Sequence, residues 1–270
     1  MSKSNEINYI KNVSSAEGIA VEEFTNYLEQ KPFSDAQCGN YLIDIGQMMR
    51  FLPQPPARLL DIGVGSGWTS DLLCQRGYEV LGLDISPDMI ELANRRAGPS
   101  LRFQVCDYEV DSLPSGFDIA VIYDALHHAE DAYKVIKNIY DALNENGILI
   151  TAEPGAGHSQ TEDSIAVMKK YGTTEKDMPF LLQKQIMLKA GFGVVEQYAR
   201  VNQLPLCDIS TPEGALMQLK HSISLAYESV KGLTSIVIAR KVPASEFQQT
   251  NMEEVSSKML SLMEDHRLQS

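Results

Sequence analysis

Residues 59–73 read LLDIGVGSGWTSDLL: an apolar run closes on Asp61, glycines follow at 63, 65 and 67, and an amphipathic stretch begins at Trp68. That order predicts a strand, a tight turn that lets a ligand touch backbone, and a helix. A phosphate-binding P-loop needs Lys and then Ser or Thr after its last glycine, but here Trp68-Thr69 follows. The dinucleotide fingerprint GxGxxG would place its third glycine where Trp68 stands. The turn is a GxGxG variant with an acid just ahead of it. A carboxylate there would repel a pyrophosphate and suits a ligand carrying positive charge.

Working outward, strand and helix patterns alternate from about residue 58 to 153. Residues 58–62, 78–84, 101–106, 117–123 and 147–152 read as strands. Gly77 is a helix stop, and Ser86-Pro87-Asp88 supplies an N-cap, a first-turn proline and an acid at a positive helix end. That helix runs to Arg95-Arg96. Ala132, Val135, Ile136, Ile139 and Leu143 form one face of the next. Such interleaving argues for a parallel sheet covered on both faces. Three strands end in acids: Asp61, Asp84 and Asp107. An acid about twenty residues past the glycines can accept from ribose hydroxyls, and one after the third strand can accept from an exocyclic amine. Together they outline a cleft for an adenosine whose far end is cationic.

LLDIGVGSGWTSDLL, EVLGLDIS, VCDY and FDIAVIYDALHHAEDAYKVIKNIYDALNENGILITAEP resemble, in order and spacing, the class I S-adenosylmethionine-dependent methyltransferases. The resemblance covers about residues 58–153. It implies an α/β, Rossmann-like, doubly wound, mostly parallel seven-stranded sheet, completed by strands at 193–201 and 234–240, the last antiparallel. It further implies S-adenosyl-L-methionine as cofactor, with Asp61, Gly63 and Gly65 at its methionine end and Asp84 on the ribose. Ile85 would pack on the adenine, Asp107 would bind its amine, Tyr108 would flank it, and Tyr123 would sit beside the sulfonium.

Composition bounds the rest. A formal charge of −13 without a basic patch argues against nucleic acid and anionic membranes as partners. No apolar run is long enough to span a bilayer, and the polar start MSKSNEINYIKN lacks a signal-peptide core, so a cytoplasmic protein is expected. Cys38, Cys74, Cys106 and Cys207 are far apart and read as reduced thiols. The chain divides into a helical N-terminal cap (1–55), a core (56–241) with helical insertions at about 154–190 and 202–233, and an acidic tail (242–270). Met252, Val255, Met259, Leu262 and Met263 give that tail an apolar stripe, fitted to fold back on the chain or to pair with a second copy as a homodimer.

Methyl transfer from a sulfonium is an in-line displacement, so positioning the acceptor supplies much of the rate. A hydroxyl acceptor also needs its proton removed. His127, after the fourth strand, and Glu153, after the fifth, are the titratable pair expected at that place, and a His127–Glu153 dyad is the candidate base. His128 reads as a loop hydrogen-bonder, and His158, in the glycine-rich stretch 155–159, as a second candidate. Asp124, Glu153 and His158 match no recognised ligand spacing, and no metal is expected. The acceptor is expected to be a small molecule, with a sugar-like hydroxyl favoured. Two alternatives stand beside this: an NAD(P)-dependent oxidoreductase, which the acid ahead of GxGxG and the lack of a Tyr-x-x-x-Lys pair near the cleft oppose, and a non-catalytic S-adenosylmethionine-binding protein.

Overall fold

The computed structural model describes residues 3–201, 206–232 and 234–243. Seven strands form one sheet: β1 (Arg58–Ile62), β2 (Glu79–Asp84), β3 (Leu101–Val105), β4 (Phe117–Tyr123), β5 (Leu143–Pro154), β6 (Val194–Tyr198) and β7 (Thr234–Arg240). Their spatial order is β3-β2-β1-β4-β5-β7-β6. All neighbours run parallel except β7, which is antiparallel to both β5 and β6. The expected sheet, including its late antiparallel strand, is what the chain forms.

Burial explains which sequences can take which place. β1 and β4, in the middle, are almost wholly buried, as near-continuous apolar strands should be when both faces are covered. β3 and β6, at the edges, keep most of their residues accessible. Among the described residues ten helices cover the sheet or its ends: α1 (Lys3–Ile7), α2 (Tyr9–Glu17), α3 (Val21–Glu29), α4 (Cys38–Met49), α5 (Trp68–Gln75), α6 (Pro87–Ala93), α7 (Ala132–Ala142), α8 (Glu162–Tyr171), α9 (Phe180–Ala190) and α10 (Pro212–Val230). One core layer joins α7 and α9 to the sheet through Val135, Ile136, Ile139 and Met187. A layer on the other face includes Ile45 and Met48 of α4 and Leu73 of α5. A separate cluster packs Ile10, Val13, Phe24 and Leu28 on Met89 and Leu92 of α6, which carries the N-terminal helices onto the cofactor half of the sheet.

Two local readings change. Leu143 begins β5 and pairs with Phe117, and a register shift with Asn146 at φ 63° leads into the buried run from Gly147. The Asn144–Gly147 turn signal masked that early pairing. Residues 154–190 are also not continuously helical. α8 stops at Gly172 with φ 74°, and 173–179 run without regular secondary structure before α9. A glycine in the left-handed region after a basic last turn, then two β-branched threonines, is a helix terminus that the sequence displays. The tail stripe at 252–263 lies outside the described residues.

Candidate active site

The carboxyl ends of β1, β2 and β4 open into a cleft of about 360 Å³, roofed by α1, α2 and residues 158–175. That size is within the range of small-molecule sites. Gly63, Gly65, Asp84, Ile85 and Tyr108 line one part, and Asp124, His127, His158 and Glu175 another.

The glycine turn is held where it can meet a ligand. Gly63 sits at φ 73°, and a Cβ there would lie 2.4 Å from that of Ala125. Gly65, at φ 52°, has nothing within 4 Å of an added Cβ, so its backbone stands open to the cleft. Asp84 fixes this backbone: Oδ2 accepts from the Gly65 N–H (2.8 Å) and Oδ1 from the Ser86 N–H (2.8 Å). Burial raises its pKa against those two donors. A carboxylate offers about four acceptor sites, so two donors leave capacity for the hydroxyls of a ribose. The open turn and the acceptor beside it fit S-adenosylmethionine.

Three residues assigned by resemblance stand elsewhere. Asp61 does not line the cleft: it is 1% exposed and accepts from Thr69 Oγ1 (2.8 Å) and Ser70 Oγ (2.6 Å), bracing the start of α5. Asp107 meets Lys3, whose Nζ lies 2.9 Å from its carboxylate, so α1 covers the end expected to take the adenine amine. Tyr123 turns to the opposite face of the sheet. Its hydroxyl donates to Asp44 (2.9 Å), which Arg200 grips with two N–H groups (2.9 and 2.6 Å). That buried group ties α4 to the chain after β6. Nothing in a terminal Tyr signals which face it will take, whereas Asp124, next in sequence, does line the cleft.

Burial pushes the Asp61 carboxyl up to about 6, the two hydroxyls opposing it. Because the folded pKa exceeds the unfolded value near 3.8, the folded state holds the extra proton between about pH 4 and 6. Stability from this group is full below that window and is lost as pH rises through it, costing about 3 kcal/mol at neutral pH. Asn keeps an acceptor for both hydroxyls without the charge. Asp61→Asn should match the parent in urea unfolding near pH 4 and gain on it progressively up to about pH 7. A stability difference independent of pH would refute this.

On the far side, His127 and Glu153 do meet. Glu153 is wholly buried and its carboxylate accepts four hydrogen bonds: from the N–H groups of Ala125 (3.0 Å), Leu126 (2.9 Å) and His127 (3.3 Å), and from His127 Nδ1 (2.7 Å). With its acceptor sites filled, Glu153 orients the imidazole and shapes the 125–127 turn. Nε2 of His127 lies 3.4 Å from Glu175, which His158 Nε2 also contacts at 2.9 Å. Burial lowers the His127 pKa, but the hydrogen bonds to Glu153 and Glu175 outweigh it and lift it to about 10. Glu153 and Glu175 thus favour the protonated ring, and a base at this place works against that pair of carboxylates. Glu175, despite burial that raises it, is held well below the usual carboxylate range by the two histidines.

Glu175 was not anticipated. It arrives on the irregular segment after α8, which Lys176 N→His127 O (3.3 Å) and Met178 N→Pro154 O (3.0 Å) stitch to the strand ends. The end of α8 at Gly172 was the signal for it. The 155–159 stretch is pinned: Asp177 accepts from the N–H groups of Gly157 (2.8 Å) and Ser159 (2.7 Å). His128 bonds the Thr174 carbonyl (2.6 Å), as a loop tie.

Residues 60–151 match the methyltransferase domain family. The ubiquinone biosynthesis O-methyltransferase of Xanthomonas campestris pv. campestris is 30% identical over 102 residues, 35% of this chain and 42% of that protein. The demethylmenaquinone methyltransferase of Thermus thermophilus is 30% identical over 128 residues, 42% of this chain and 58% of that protein. The chain thus spans about half the length of these curated relatives. An S-adenosylmethionine-dependent methyltransferase from Mesorhizobium loti shares the fold with a TM-score of 0.56 at 20% identity, covering 73% of this chain and 97% of that one. Residues 60–151 thus match a methyltransferase domain, and the fold is that of solved S-adenosylmethionine-dependent methyltransferases. Among the described residues no helix is long and apolar enough to cross a membrane.

Proposed function

We propose that the protein transfers the methyl group of S-adenosylmethionine to a hydroxyl of a small molecule. The observation that carries this reading is the single cleft that has Gly65 and Asp84 on one side and His127, His158 and Glu175 on the other. The cofactor, when bound, supplies an electrophilic methyl on sulfur. Gly63 and Gly65 give it backbone room, Asp84 accepts from its hydroxyls, and Asp107 becomes available once Lys3 moves. His127, fixed by Glu153, meets the acceptor hydroxyl through Nε2 in the place that Glu175 holds. The helices before residue 55 and the segment 154–190 wall the cleft and select the acceptor by shape.

The relative named as a ubiquinone biosynthesis O-methyltransferase favours a hydroxyl acceptor, and this extends the sugar-like acceptor considered from sequence to hydroxylated rings in general. The test is turnover of S-adenosylmethionine with a panel of phenols, catechols, hydroxyquinones and sugars. Release of S-adenosylhomocysteine with an O-methylated product from one class is the expected result. Cofactor binding without product from any class would leave a binding protein instead.

A further inference from the structure

We propose that His127, His158 and Glu175 form a binding site for one divalent transition-metal ion of the zinc or ferrous class, opening into the cofactor cleft. Each side chain offers a ligand atom, and the three atoms lie within 4.8 Å of one another. Ligands at 2.0–2.1 Å around a tetrahedral ion stand about 3.3 Å apart. Here Glu175 Oε2 lies 3.4 Å from His127 Nε2 and 2.9 Å from His158 Nε2, and the two rings stand edge to face. Two of the three spacings already approach those of a coordination sphere. Two imidazoles and one carboxylate suit zinc or ferrous iron better than magnesium or calcium, which take oxygen ligands.

The surroundings match what metal histidines have. His127 gives its other nitrogen to the buried Glu153 at 2.7 Å, a carboxylate–histidine pair that fixes the ring with Nε2 outward. Ser164, also buried, sets its hydroxyl 3.4 Å from both ring nitrogens of His158 and so packs on that ring without selecting one nitrogen. The three residues come from the turn after β4, the turn after β5 and the segment after α8, and all face the cleft, which leaves further coordination positions for a ligand. Among the described residues the other candidate group is Asp124, His127 and Glu153, but four donors already occupy the Glu153 carboxylate.

What the ion would do rests on the methyltransferase reading above. With the ion bound, His127 Nε2 would be a ligand and would act on the acceptor only through the ion: a coordinated acceptor hydroxyl would release its proton to water, and its oxygen would then attack the methyl as the sulfur–carbon bond breaks. Binding of the ion itself needs no such step.

The experiment uses the full chain, stripped by chelator and titrated with Zn2+ by calorimetry and with Co2+ by visible absorption, alongside His158→Asn and Glu175→Gln. The expected result is one tight equivalent of Zn2+ and a Co2+ spectrum of four or five coordination, each weakened at least tenfold in both variants, since even residues behind a metal's ligands are worth that much. Both variants change partly accessible or cleft-facing side chains, and circular dichroism checks that they fold. Absence of binding, or several weak equivalents unaltered by either substitution, would overturn the site and assign the ions to the acidic surface. A tight equivalent in a protein that binds no S-adenosylmethionine would uphold the metal and remove the methyltransferase reading, so the two fail separately.

Discussion

Replacing Glu153 by Ala should lower stability by about 3–5 kcal/mol, the cost of removing one partner from a buried charge pair. The substitution strands three backbone N–H groups of residues 125–127 and the Nδ1 of a His127 that is 4% exposed. For a chain of this size the melting temperature should fall by roughly 10 °C. Glu153→Gln should also destabilise, because its amide nitrogen must face donors where an oxygen accepted. Glu145, with its side chain 80% exposed, is the control: Glu145→Ala should change stability by less than about 0.5 kcal/mol. A thermal melt that ranks Glu153→Ala beside that control would show that the carboxylate does not organise the turn.

Replacing His127 by Ala should slow methyl transfer by about 10²–10⁴-fold, the usual worth of a positioned proton-handling side chain. Affinity for S-adenosylmethionine should stay close to that of the parent, because Gly65, Asp84 and Ile85 are on the other part of the cleft. The measurement is single-turnover product formation with saturating cofactor, paired with a cofactor titration. Unaltered turnover would exclude His127 from the chemistry, and a matching loss of cofactor affinity would reassign it to the cofactor side.

The sheet was legible because its signals are local. Apolar runs of five to seven residues closing on Asp or Tyr set β1, β2 and β4, and Gly63, Gly65 and Gly67 announce a turn with left-handed backbone that only glycine takes cheaply. The pairing of His127 with Glu153 followed from their places at the carboxyl ends of neighbouring strands. The orientation of Asp61 and Tyr123 did not, because it depends on partners far away in sequence or turned inward: Thr69 and Ser70 for one, Asp44 on α4 for the other. Lys3 reaches Asp107 across 104 residues, a contact no window of sequence displays. Glu175 was missed through one wrong extension of a helix past Gly172, and with it went the convergence of two histidines on one carboxylate.

Calorimetric titration with S-adenosylmethionine, S-adenosylhomocysteine and NAD, on the parent and on Asp84→Asn, tests the central claim most directly. Saturable binding of the first two and none of NAD is expected. Asp84→Asn should weaken both by about ten- to a hundredfold, the worth of hydrogen bonds to a charged acceptor. Binding of NAD alone, or cofactor affinity indifferent to Asp84, would contradict the cleft as a methyl-donor site.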